Sequence, residues 1–229
     1  MTGPDSDRSR SVRPEYSELV TRLGLEELSV ENERVRSVVS ELDDAVTNGG
    51  ALVRKFRILD EDGVFEYVQE TRNGSVYDLL EHGGFLHDFL RSTELNESVD
   101  GLDTEEGFSG YHWNANPTDG IVSGDVASER NDQQFDWFHP LYVDGYLAWV
   151  LVRGGAYSSF DGTQAEAKAL GRQFEQEVID GRYESFYAWR LEDVQWSEWF
   201  LGVPRWDETL LLVDGAERIV WLFMFTSTD

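Results

Sequence analysis

The chain has 229 residues, 45 acidic against 19 basic, a net charge of −26 and no cysteine. The missing cysteines exclude disulfides and thiolate chemistry, and the absence of clustered lysine and arginine argues against a phosphate-binding face for nucleic acid. With 40% apolar and 13% aromatic residues the sequence has ample material for a core, so disorder is excluded for most of it.

Residues 1 to 13 are polar and are expected to form a flexible tail, and no apolar run in the chain approaches membrane-span length. One α+β domain is predicted over residues 14–229, made of a helical segment (14–50) and a sheet-rich segment (51–229). Pro14 opens a short helix with Tyr16, Leu19, Val20 and Leu23 on one face and Gly24 as its stop. A second helix fits Ser29 to Asn48, with Val35, Val38, Leu42, Ala45 and Val46 as the buried stripe.

From Ala51 the pattern alternates with period two. Three Asp-Gly pairs, Asp62-Gly63, Asp144-Gly145 and Asp214-Gly215, each lie between apolar runs and predict three hairpins. The last, Thr209 to Phe225, is expected at the centre of the sheet because Ile219 to Phe225 is apolar on both faces. A helix over Ser75 to Arg91 contains Gly83-Gly84, which should kink or split it. Another opens with a capping box, Thr163 and Glu166, buries Ala167, Leu170, Phe174 and Val178, and stops at Gly181. A hairpin followed by a helix would then occur twice. Residues 93–135 are acidic and aperiodic, and long loops are expected there, with a strand near Phe108 to Trp113. The fold class is therefore α+β: an N-terminal helical pair packed on a mostly antiparallel sheet, with one or two further covering helices.

The acids occur along the whole chain but peak in residues 61–140, which hold 18 acids and 3 bases. Only two residues, Lys55 and Lys168, are lysine. Such a surface repels itself at ordinary ionic strength and is relieved when the Debye length falls from about 10 Å at 0.1 M salt to about 3 Å at 1 M. A halophilic-type, cytoplasmic protein with salt-dependent stability is expected, a likeness of habitat and not of family.

No catalytic motif stands out. Asp78 and His82 stand four apart near His87 and Asp88, but the two glycines between the histidines disrupt a metal-binding helix face. The acidic run Asp100 to Gly107 lacks the ligand spacing of a calcium loop. Aromatics and histidines cluster at Tyr111-His112-Trp113 and Asp136-Trp137-Phe138-His139. Arg153-Gly154-Gly155-Ala156-Tyr157 leaves a predicted strand for the capped helix, where backbone N–H groups and an arginine can meet an anion. Trp113, Trp137, His139, Arg153 and Tyr157 are the candidate ligand-binding residues; no catalytic residue, metal ligand or cofactor is assigned. Trp189, Trp196, Trp199 and Trp206 crowd the C-terminal half as core or as a contact surface. The expected function is a non-catalytic binding or regulatory module that meets a protein or small-molecule partner through this aromatic-rich half. The alternative is a hydrolase-type enzyme built on His112, Asp136 and His139, with or without a metal.

Overall fold

The computed structural model describes residues 16–46, 49–59, 63–64, 89–90, 92, 135–155, 159–192 and 207–227. Among the described residues six strands make one antiparallel sheet in the order β1-β2-β6-β5-β4-β3. They are β1 (Leu25–Leu28), β2 (Gly49–Ile58), β3 (Phe135–Phe138), β4 (Phe186–Glu192), β5 (Glu208–Asp214) and β6 (Ile219–Ser227). Among the described residues the helices of eight residues or more are α1 (Tyr16–Leu23), α2 (Glu33–Asp44), α3 (Val143–Arg153) and α4 (Gln164–Val178). The α+β architecture expected from the sequence is what forms.

Both faces of the sheet are buried, and the alternation of each strand sorts its side chains between them. One face gathers Leu52, Phe56, Leu211, Val213, Val220, Leu222 and Met224 under Leu19 and Leu23 of α1. The other gathers Val53, Leu210, Leu212, Phe223 and Phe225 under α2, α3 and α4. The N-terminal helices thus pack on opposite faces. The short edge strand β1 carries the chain from one side to the other. Gly24, at φ 60°, turns it out of α1, and Asn32 starts α2 by accepting from the N–H groups of Arg34 and Val35.

The final hairpin is central, as its two-faced apolar pattern demands. Asp214 shapes its turn by accepting from the N–H groups of Ala216 and Glu217, and Arg182 pairs with the same carboxylate. The capping box of α4 is also present: Thr163 Oγ1 accepts from Glu166 N–H at 3.2 Å, and Glu166 accepts from Thr163 N–H at 2.7 Å. Gly181, at φ 72°, ends the turn that follows the helix.

Two expected hairpins do not form. Asp144-Gly145 lies inside α3, because the run from Val143 to Leu151 buries Val143, Leu147, Val150 and Leu151 at helical spacing. Pro140 starts the preceding 3-10 turn, Asp144 lies at the positive end of the helix dipole and Arg153 at the negative end. A short apolar run satisfies either period, and these termini decide for helix. Arg153 therefore leaves a helix rather than a strand, and Gly154, at φ 55°, terminates it. At Lys55 to Ile58 β2 is already paired on both sides, with β1 and with the β6 side, which leaves no edge there for a hairpin through Asp62-Gly63; Val64 is helical and the residues from 65 on lie outside the described ones. The twice-repeated hairpin-helix unit falls with these two hairpins. The tail, the split helix over 75–91 and the loops of 93–134 lie outside the described residues except at 89–90, which are helical and buried.

α3 and α4 approach closely because α4 carries a glycine at the contact. A Cβ on Gly171 would stand 2.1 Å from the Asp144 carbonyl oxygen. Beside this crossing Lys168 Nζ pairs with Asp144 Oδ2 at 2.6 Å.

Candidate functional site

Tyr146 and Arg153 stand seven residues apart on α3. Two helical turns separate them, about 10 Å along the axis, and they share a face. That face looks onto the start of β5, where Glu208 points to the same side of the sheet as Leu210 and Leu212. The Tyr146 hydroxyl donates to one Glu208 carboxylate oxygen and the Arg153 guanidinium pairs with the other. Glu208 is 2% exposed. A carboxylate so deeply placed is tolerable only with both oxygens engaged.

Aromatic rings surround this contact. Trp149, between the two on the helix, stacks on Tyr146 with centroids 6.0 Å apart and lies 4.5 Å from the Arg153 guanidinium carbon. Arg190 of β4 stands 5.4 Å from the Tyr146 ring, and Phe138 meets that ring edge-on at 5.3 Å. Phe225 lies on the far side of Arg153 at 5.7 Å. Two arginines and three rings, in the order Arg190, Tyr146, Trp149, Arg153 and Phe225, make a chain of contacts from β4 to β6. On the opposite face of the sheet, Thr226 Oγ1 donates to Asp207 at 2.5 Å.

Burial, followed by the nearby Glu208 charge, pushes the Tyr146 phenol well above its ordinary range, and Arg190 and Arg153 oppose this only in part. The phenol thus stays protonated as a donor. With Glu208 held by two partners, the arrangement anchors α3 to the sheet.

Of the sequence candidates, the structure places His139 and Arg153 at the two ends of one helical unit. His139 Nδ1 accepts from Leu141 N–H at 3.2 Å and so caps the 3-10 turn; its ring meets Tyr142 edge-on at 6.0 Å. Trp137 sits in β3 in register with Trp189, and its side chain lies outside the described atoms. Trp113, Tyr157 and His112 lie outside the described residues, as do Trp196, Trp199 and Trp206. Trp189 is core, 2% exposed. Among the described residues no group of three or more His, Asp or Glu converges as a metal site.

Four residues that the sequence did not single out complete the region. Leu141, Tyr142, Trp149 and Val152 are 53%, 65%, 46% and 39% exposed. Tyr142, Trp149 and Val152 recur at helical spacing, so they share the face of α3 turned away from the core. The signal was the run itself: only a helical period sets these positions opposite Val143, Leu147 and Val150. Glu208 carried no local signal, because its partners are brought to it by packing.

No family model, curated protein or solved structure matches this chain. Among the described residues no helix is long and apolar enough to cross a membrane.

Proposed function

We propose that the protein is a non-catalytic binding module with a salt-adapted surface, working in a salt-rich cytoplasm, and that it meets a partner protein through the outer face of α3. One observation carries this reading. Among the described residues the large exposed apolar side chains are Leu59, Leu141, Tyr142, Trp149 and Val152, and four of these five lie on α3 and its lead-in turn.

The charge pattern supports it. From Trp137 to Phe160 there is a single acid, Asp144, in a chain where 45 of 229 residues are acidic. Interface centres are depleted of charge and enriched in Tyr, Trp and Arg, and apolar contacts persist at molar salt where ion pairs are screened. The anchor beneath favours the same reading, because a helix pinned by Glu208 presents Trp149 with little ordering cost. For the hydrolase alternative no described contact gives comparable support, since the His139 Nδ1 is taken as a cap.

Photo-cross-linking tests this. A benzophenone side chain at position 142 or 152 should capture a discrete partner from the native extract, and one at exposed Arg172 on α4 should not. Excess wild-type protein should compete, whereas the Trp149→Glu variant should not. Equal capture from all three positions, or competition by the variant, overturns the reading.

A further inference from the structure

An open cleft of ≈ 380 Å³ lies beside β2, on the side where β1 stops. β1 pairs only with Lys55 to Ile58, so on that side Gly49 to Arg54 have no strand neighbour among the described residues. Ile58 N–H reaches Arg218 on the β6 side and Leu59 N–H reaches Gly24 on the β1 side. Odd-numbered backbone groups of β2 therefore face the cleft.

Two of these groups are held by side chains standing where a strand would be. Ala51 N–H donates to the Asp43 carboxylate at 3.1 Å, and Val53 C=O accepts from Arg54 Nη1 at 3.2 Å. An acceptor and a donor thus occupy the positions of a neighbouring strand's C=O and N–H. The cleft's β2 lining is four consecutive residues, Ala51 to Arg54. Their side chains alternate between the two faces, so an occupant touching all four lies along the strand's edge and not on a face. Val30 and Val39 supply apolar wall, and Arg36 of α2 stands over it with Arg54.

Charge decides the occupant. The cleft's lining holds two bases, Arg36 and Arg54, against one acid, Glu27, within a chain of net charge −26. Glu27 engages Arg54 at 3.4 Å, while the exposed Arg36 guanidinium donates to the neutral Glu31 carbonyl at 3.3 Å. We propose that the open half of β2 accepts an extended peptide segment of a partner protein by strand addition, with alternating apolar and acidic side chains. The peptide backbone replaces the Asp43 and Arg54 side chains on the edge, its apolar residues meet Val30, Val39 and Val53, and an acid meets Arg36. This site is separate from the α3 face.

The test uses acetyl-Val-Glu-Val-Glu-Val-amide, its lysine counterpart and hexanoate, each titrated into the full chain while the Ala51 and Val53 amide resonances are followed. The acidic peptide should shift both amides, the lysine peptide should not, and Arg36→Glu should weaken binding by about fivefold or more. Arg57→Glu, in the half of β2 already paired with β1, should bind as wild type. Silence with the acidic peptide, equal response to both peptides, an unchanged affinity in Arg36→Glu, or hexanoate matching the acidic peptide would each overturn the proposal; the last would make the cleft a small-acid site.

Discussion

The Tyr146 hydroxyl donates to the Glu208 carboxylate across 62 residues of chain, inside the core between α3 and β5. This contact and the Arg153 pair on the second oxygen fix the rotation of α3, and so decide which of its side chains face outward.

Breaking that cluster should be expensive. Glu208→Ala leaves Arg153 with its charge partner removed in a largely buried site, and a loss of about 3–5 kcal/mol is expected. Tyr146→Phe removes one donor and should cost about 1–3 kcal/mol. Urea unfolding of the two single variants and the double variant checks both, and the double should lose less than the sum because the side chains share one contact.

Gly171→Ala gives a result whose sign is informative. In an isolated helix this change stabilises by about 1 kcal/mol. Here the new Cβ would meet the Asp144 carbonyl at 2.1 Å, so α3 and α4 must separate and a net loss of about 1–3 kcal/mol is expected. A rise in the urea midpoint would show that the two helices do not touch at this point.

The carboxylates of α4 make opposite pH predictions. The Thr163 N–H and hydroxyl hold Glu166 below the ordinary carboxylate range, and the Asn32 amide followed by Arg34 does the same for Glu177. Their support is present above the unfolded glutamate value of about 4.3 and is lost as pH falls through their lower folded values. Burial, then the neighbouring Asp144 charge, raises Glu175, so its ionised form weakens the fold near neutrality. Glu175→Gln should therefore raise the thermal midpoint at pH ~7, and the gain should disappear below pH ~4, where Glu175 is protonated folded and unfolded. An equal gain at both pH values would contradict the assigned cause.

Salt should act on the whole molecule. With a net charge of −26, the thermal midpoint should climb as potassium chloride rises from about 0.1 M to about 3 M, since the Debye length then falls below typical charge spacings. A flat midpoint over that range would remove the salt-adapted reading.

Local chemistry made several elements legible from sequence. The capping box, the Gly24 and Gly181 stops, the stripe from Val35 to Val46 and the two-faced strand Ile219 to Phe225 each state their own structure within a few residues. β1 was not legible, because Leu25-Glu26-Glu27-Leu28 lacks strand alternation and is a strand only through its pairing with β2, from Leu25 opposite Ile58 to Leu28 opposite Lys55. The segment around Asp144-Gly145 misled because an apolar run bordered by a turn dipeptide fits a hairpin as well as a helix. Of the candidate site, Arg153 and His139 were visible as residue types, whereas their roles as anchor and cap were not.

The sequence by itself determined the charge, the elements with local stop and start signals, and the burial of the central hairpin on both faces. These follow from side-chain chemistry at fixed short spacings. Only tertiary structure decided that α1 and α2 take opposite faces, that Glu208 meets Tyr146 and Arg153, that Trp149 faces outward, and that half of β2 has no strand neighbour on one side among the described residues. Each of those depends on contacts between residues distant in the chain, whose free energy exists only once the sheet has brought them together.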